Sequence, residues 1–461
     1  MRQIYFRDPV TLDDLIWSPV YLILVLLAAA FIRNSMYRMD NPIRKYFMPG
    51  LMVKLLGGIS VGLIYAFYYT GGDTTEFFNN SIVFNSAFGD SPILFFKLLI
   101  NPAVNHDPDI TMYRPWMYFI FDPASYTVGK IAGIINLFTF NIYTAEAILF
   151  AAVSFSGVWA LYITFCKIYP DMYKQFALAV LFIPSVFFWG SGILKDSITL
   201  GCVGWITFCS YNIFFMKRKV ISNSIVWIIA AALVAMIKPY ILFAFMPSLL
   251  FWVFLHYRSQ IKSTFLKVVS GPFVFIASLG LGAIVIQRLG REFTQFSVGG
   301  ALATSQNFQS YHGYLAQSGV AGSGYNLGEM DGSFMSIFTR IPAAINVTLF
   351  RPYLWESHNP VMLLSALEST IIMIFTFRII YKTGLGTTLK TLGRSPTAFF
   401  CIFFAMFFGF CVGFTAYNFG ALVRYKIPCI PFYVAGLFIL HKETLIAYEA
   451  KQKLKRVNRT N

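Results

Sequence analysis

The sequence predicts an all-α polytopic membrane protein: a single transmembrane domain over residues 1–461 with about eleven crossing helices, within a range of about ten to thirteen. Three observations predict it. Apolar residues make up 57% of the chain and charged residues only 12%, against about a quarter charged in a soluble domain. Apolar runs of roughly 20 residues, the length that crosses a bilayer core, recur from end to end. The Lys and Arg residues gather in every second connection between those runs, the bias that orients helices in a membrane.

In chain order the expected spans are 15–32, 51–69, 145–165, 175–191, 197–215, 221–237, 240–256, 267–287, 361–381, 397–416 and 425–441. Two further apolar stretches read as interfacial or re-entrant. One, 117–140, is broken by Asp122-Pro123; the other, 341–355, is short and carries Arg351-Pro352. Arg33, Arg38, Arg44, Lys45 and Lys54 flank the first basic connection, and Lys217-Arg218-Lys219 fill the next. Arg258, Lys262 and Lys267 follow, then Lys382, Lys390 and Arg394, and finally a tail with Lys451, Lys453, Lys455, Arg456 and Arg459. These share one parity and read as cytoplasmic. The N-terminus and the connections at 70–143, 192–196, 238–239, 288–360 and 417–424 then face outward. Of these, 70–143 and 288–360 are large external loops, and the first mixes Phe77, Phe78, Ile82, Val83, Phe84, Ala87 and Phe88 with Asn79, Asn80 and Asn85. That pattern suggests a helix in the interface plane. Almost no charge falls mid-span, with Glu146, Lys238 and Glu368 near outer ends.

The net charge of +16 suits contact with anionic lipid. Its bases are scattered through short loops, which gives nucleic-acid binding no support. The six cysteines (Cys166, Cys202, Cys209, Cys401, Cys411, Cys429) lie in apolar segments without CxxC spacing and read as buried apolar residues. No signal-peptide pattern precedes the first apolar run, which Asp13 and Asp14 introduce. The 18% aromatic content, with 50 Phe, 26 Tyr and 8 Trp, fits interfacial belts and helix packing. No P-loop, dinucleotide-binding glycine fingerprint, GxSxG or HExxH occurs, so ATP-driven transport and zinc or serine hydrolysis lack support.

Polar chemistry concentrates on the outward side. The loop 70–143 is acidic in a basic chain: Asp73, Glu76, Asp90, Asp107, Asp109 and Asp122 stand against Lys97, Arg114 and Lys130. Carboxylates beside a bilayer are costly unless paired or used. Gly71-Gly72-Asp73-Thr74-Thr75-Glu76 follows a span directly, so Asp73 can act as a general base at the membrane surface or cap a helix over 74–88. In His106-Asp107-Pro108-Asp109, Asp107 and Asp109 can bind a divalent cation such as magnesium or manganese, or form a solvated proline turn. Arg114-Pro115-Trp116 offers a phosphate partner or an interfacial anchor. Lys195-Asp196 opens a span and is either an ion pair or a phosphate-holding helix start. Lys238-Pro239-Tyr240 marks the next external turn, where a snorkelling lysine is the plain alternative. The second loop contains Arg288, Arg291, Glu292, His312, Glu329, Asp331 and Arg340 around a Gly/Ser/Tyr-rich core. It ends in a stretch whose Arg351 and Glu356 can hold phosphate and sugar hydroxyls or neutralise each other. Arg424-Tyr425-Lys426-Ile427-Pro428-Cys429-Ile430-Pro431 opens the last span with two bases before Pro-x-x-Pro.

Three of these pieces together resemble the GT-C superfamily of membrane glycosyltransferases, particularly bacterial members of cell-surface polysaccharide pathways. They are Gly72-Asp73 in the first external loop, the Pro-Ser-x-x-Phe-Trp-x-Ser-Gly-x-x-Lys-Asp stretch at 184–196, and Arg-Tyr-Lys-Ile-Pro-x-x-Pro at 424–431. The chain differs from the family pattern in placing a span, 15–32, ahead of the one that leads into the loop. The resemblance implies inverting transfer of a sugar from a polyprenyl-phosphate-linked donor to a glycan, lipid or protein acceptor. The expected location is the outer, periplasmic face of a bacterial inner membrane. It implies that Asp73 is the catalytic carboxylate; the residues' own chemistry offers Glu76, Arg114, Lys195, Asp196, Lys238, Arg351, Glu356, Arg424 and Lys426 as substrate contacts. No cofactor is required, and a divalent cation at Asp107 and Asp109 is compatible. The competing readings are an O-antigen-type polymerase or ligase, a lipid-linked sugar flippase or transporter, and a structural membrane subunit.

Overall fold

The computed structural model describes residue 6, residues 9–102 and 107–263, scattered residues within 265–280, and residues 324–328 and 334–460. Among the described residues every regular element is helical, and nine helices are long and apolar enough to cross a membrane. The protein is thus a helical integral membrane protein. Its chain divides into two compact units, Met1–Lys238 and Pro239–Asn461.

In the first unit, α1 (Leu12–Met36) begins at Thr11 and Asp14. Asp14 also accepts the backbone N–H of Thr144 at 2.7 Å, which ties the start of α1 to the start of α6 (Tyr143–Ile168). Helix α2 (Phe47–Leu63) runs on through a π turn, Ile64–Tyr68. Then come α3 (Asp73–Asp90), α4 (Pro92–Ile100), a 3-10 stretch Pro108–Trp116 and α5 (Pro123–Thr139). Past α6, the unit closes with α7 (Tyr173–Leu181), α8 (Pro184–Trp189), α9 (Lys195–Ser210) and α10 (Val220–Ile237).

Helix α6 is the unit's axis, packed by α1, α2, α5 and α9. Its approach to α9 depends on glycine. A Cβ on Gly157 would lie 1.9 Å from the Gly201 carbonyl oxygen, and one on Gly204 would lie 2.0 Å from that of Gly157. Small residues of this kind let membrane helices meet backbone to backbone, where dispersion replaces the missing hydrophobic drive.

Three expectations change here. The span 175–191 is not one helix: Ile183 is extended (φ −74°, ψ 123°) ahead of Pro184, because the proline ring crowds the preceding residue out of the helical region. Lys54 does not flank a loop. The span begins at Arg44 rather than 51, so Lys54 lies inside it, buried, and donates to the Gly190 carbonyl at 2.6 Å. A charge-bearing side chain therefore does sit mid-span. Third, α3 covers the apolar stretch expected in the interface plane, but Phe77, Phe78, Ile82, Val83, Phe84 and Ala87 are buried against protein, mainly α5. The expected span 267–287 lies mostly outside the described residues, as do Arg288, Arg291, Glu292, His312, Glu329, Asp331 and His106.

The second unit has α11 (Pro239–Tyr257), α12 (Phe334–Phe350), α13 (Pro360–Thr383), α14 (Leu385–Leu392), α15 (Pro396–Thr415), α16 (Phe419–Tyr425) and α17 (Ile430–Thr460). Helix α15 lies at its centre against α11, α12 and α17. Trp252 stacks on Phe400 at 4.7 Å and donates to the Thr397 hydroxyl at 3.2 Å. Buried Trp needs such a partner for its N–H. Of the stretch 341–355, expected to be interfacial or re-entrant, residues 341–350 are the second half of α12, which stops at Arg351-Pro352.

Candidate functional site

Asp73 is the first residue of α3, and it is not the cap. Gly72 holds that place with φ 127°, and its side chain could not be larger: a Cβ there would lie 2.9 Å from the Tyr65 ring. Gly71 precedes it at φ 133°. Both dihedrals suit glycine alone, so the chain leaves the span and turns at once into α3. Asp73 and Glu76 share the first turn of α3, both partly exposed, where the helix dipole favours negative charge. The adjacent Thr74 is fixed by a 2.7 Å hydrogen bond between its hydroxyl and that of Tyr143.

Two ion pairs lie at the same end of this unit, at the start of α9. Lys195 Nζ is 3.0 Å from Asp122 Oδ2, both partly exposed, with side-chain exposures of 26% and 45%. Asp122 also accepts the Ala124 N–H at 3.1 Å and the Ser125 hydroxyl, capping α5. Partial burial pushes the Asp122 carboxyl up, but the Ser125 hydroxyl and the Lys195 ammonium outweigh it and hold the group below its usual range. The neighbouring pair is buried: Lys238 Nζ lies 2.5 Å from Asp196 Oδ1.

The sequence marks Asp122 as a break in an apolar stretch and as one of the loop's carboxylates, not as a site residue. The signal for more was present, since Asp-Pro-Ala-Ser is a capping sequence, but nothing local identifies Lys195 as its partner.

Asp107 and Asp109 are drawn together by Lys97, which pairs with Asp109 and stands 3.7 Å from Asp107. Asp107 also accepts the Asp109 N–H at 3.0 Å. This is a proline turn closed by an ion pair. Among the described residues no group of three or more His, Cys, Asp and Glu side chains is placed to hold a metal ion. Arg114 is half-buried at the end of the 3-10 stretch.

In the second unit, Arg351 and Glu356 neutralise each other. The Arg351 Nε lies 3.0 Å from each Glu356 oxygen, and Glu356 Oε2 also accepts the Tyr353 N–H at 2.8 Å. Burial pushes the Glu356 carboxyl up, but Arg351 and the Tyr353 N–H overcome this and leave it below its usual range. The guanidinium also faces the rings of Phe419, Tyr353 and Tyr325 at 5.1, 5.7 and 5.9 Å. Lys426 is buried and donates to the Ser369 hydroxyl at 2.9 Å and the Arg351 carbonyl at 3.2 Å. Burial lowers its pKa, and Glu368 opposes the shift. Arg424 lies in the last turn of α16, half-buried.

The sequence-derived candidates thus separate. Asp73, Glu76, Arg114, Lys195, Asp196, Lys238, Asp107 and Asp109 belong to the first unit; Arg351, Glu356, Arg424 and Lys426 belong to the second.

No family model matches this chain, and no curated protein or solved structure matches it either.

Proposed function

We propose that this protein is a GT-C-like glycosyltransferase. It moves a sugar from a polyprenyl-phosphate-linked donor to a glycan, lipid or protein acceptor at the outer face of a bacterial inner membrane. The observation that carries the reading is the placement of Asp73. A partly exposed carboxylate opens α3 directly after a membrane-crossing helix, at the end of the first unit that also presents Lys195. Asp73 would take the proton of the acceptor hydroxyl as its oxygen attacks the anomeric carbon. The sugar's bond to the phosphate oxygen breaks, and the polyprenyl phosphate leaves with its negative charge met by Lys195 and Arg114.

The opposite end of the same unit supports the orientation. There Tyr37 meets Trp159 and Tyr46 meets Tyr162 and Tyr173. Those contacts are surrounded in sequence by Arg33, Arg38, Arg44, Lys45, Lys167, Lys174, Lys217, Arg218 and Lys219, the balance expected of a cytoplasmic end. On this reading Arg351, Glu356 and Lys426 hold the second unit together, and the phosphate is met by bases of the first.

The test is turnover. The protein in lipid nanodiscs is supplied with polyprenyl-phosphate-linked hexoses, and released polyprenyl phosphate is measured. Donor cleavage by the wild-type protein is expected, and movement of intact donor across vesicles without cleavage would replace the proposal.

One observation favours that second reading, a flippase or transporter. Lys54 is buried mid-span against carbonyls of the broken α7–α8 segment, Gly190 O at 2.6 Å and Val186 O at 3.5 Å. Transporters place charge at interrupted helices in this way. Here the lysine is already bonded to the carbonyls that end α8, which a structural role explains.

A further inference from the structure

Against the middle of α3 lies a carboxyl that neither reading uses. Glu146, in the first turn of α6, is fully buried. Its Oε2 is 2.9 Å from the Ser81 hydroxyl oxygen of α3 and 2.8 Å from Asn136 Nδ2 of α5. Ser81 Oγ is also 2.7 Å from the Phe78 carbonyl oxygen and 2.9 Å from Asn136 Nδ2. Oε1 has no hydrogen-bond partner among the described residues.

Counting hydrogens decides what this cluster is. The Phe78 carbonyl and an ionised carboxylate can both only accept, so the one hydroxyl hydrogen of Ser81 cannot serve both contacts; with a neutral carboxyl, which can donate, it is free to go to Phe78. The two amide hydrogens of Asn136 serve Ser81 Oγ and Glu146 Oε2. The 2.9 Å contact between Ser81 Oγ and Glu146 Oε2, or else the one to Phe78, then has no hydrogen unless the carboxyl supplies one. Turning the Asn136 amide over does not remove the need, because its oxygen would then face Oε2 at the same separation.

Among the described residues no cation is placed to supply charge instead. On the elements around this cluster, Lys54 donates to Gly190 O, Lys130 to Asn101 O and Lys195 to Asp122. Lys238 is paired with Asp196. The other titratable groups, Asp14, Tyr65, Asp73, Glu76 and Tyr143, are acids. An ionised carboxylate held by neutral partners in such a place carries a desolvation cost that nothing nearby offsets.

We infer that Glu146 is a buried proton-binding site: its carboxyl bears a hydrogen, donates it to Ser81, and so latches α3, the helix that opens with Asp73, onto α5 and α6.

Infrared spectroscopy of the protein in nanodiscs tests this. A protonated-carboxyl C=O stretch that disappears in Glu146→Gln is expected, because an isolated acid absorbs apart from carboxylates. Ser81→Ala, which removes the acceptor, should shift that band to higher frequency. Glu146→Gln keeps a donor and an acceptor at the same size, so its thermal midpoint should stay within a few degrees of wild type, while Glu146→Ala falls well below it. Spectra that do not differ between wild type and Glu146→Gln would overturn the assignment. So would a wild-type midpoint that rises with added sodium while Glu146→Gln does not respond, the behaviour of an ionised carboxylate holding a cation.

Discussion

Lys238 and Asp196, 42 residues apart in the chain, hold one another at 2.5 Å with side-chain exposures of 6% and 0%. Each was a candidate for binding substrate, and each is instead occupied by the other. Removing one partner of a buried pair leaves an uncompensated charge, whereas replacing both with apolar residues is often neutral. Asp196→Ala is therefore expected to destabilise the protein by about 3–5 kcal/mol, and Asp196→Leu with Lys238→Met by much less. Thermal unfolding in detergent measures both. A single variant as stable as wild type yet unable to use donor would return the pair to the binding site.

Lys195 and Asp122 behave differently because water reaches them. An exposed pair contributes roughly 0–1 kcal/mol, so Lys195→Gln should leave stability almost unchanged. If the ammonium also meets the departing phosphate, donor use falls at least about tenfold, the equivalent of about 1.4 kcal/mol. Unchanged turnover in Lys195→Gln would reduce the lysine to a partner of the α5 cap.

The same pair predicts a pH effect with a definite sign. The Asp122 carboxyl is held below its usual range in the folded protein, and an unfolded Asp titrates at about 3.9. Its contribution to stability is complete above that value and is lost as the pH falls through the lower, folded value. The gap in unfolding midpoint between wild type and Asp122→Asn should stay constant from neutral pH down to about 4 and narrow below it. A gap that closes already between pH 7 and 5 contradicts the assignment.

Asp73→Asn should lower sugar transfer by about 10²–10⁴-fold, the usual contribution of a general base. Folding should survive, since Gly72 and not Asp73 caps α3. Turnover at the wild-type rate would remove Asp73 from the reaction.

Arg351→Gln is expected to destabilise by about 1.5–3 kcal/mol, as for hydrogen bonds to a charged group, since it strands Glu356. Combining it with Glu356→Gln should recover most of that loss. Recovery of stability without recovery of transfer would give Arg351 a direct part in the reaction.

Orientation is checked by labelling. A cysteine at Ser222 should react with a membrane-impermeant maleimide only from the cytoplasmic side, and one at Met112 only from outside. The reverse pattern would move Asp73 to the cytoplasmic face and end the case for a lipid-linked donor outside.

Much of this architecture was legible because a bilayer imposes it residue by residue. Burying unpaired backbone in hydrocarbon is prohibitive, so apolar runs must be helices of fixed minimum length. That is why spans such as 145–165 and 397–416 reappear as Tyr143–Ile168 and Pro396–Thr415. It also explains why Asp122-Pro123 and Arg351-Pro352 fall where helices start or stop. The break at Ile183-Pro184 had a local signal in its proline, but the apolar run concealed it.

The sequence by itself determined the membrane class, the alternation of basic loops and the turn that presents Asp73, since each depends on neighbours in the chain. Only the tertiary structure decided which partners these titratable side chains take. Lys54 was set among the α8 carbonyls, Lys97 between Asp107 and Asp109, Lys195 against Asp122 and Glu146 beneath Ser81. In a low-dielectric interior a charge must find a partner wherever the fold brings one, and that choice is made across tens of residues. A pairing separated by 73 positions, as between Asp122 and Lys195, leaves no local trace for the sequence to carry.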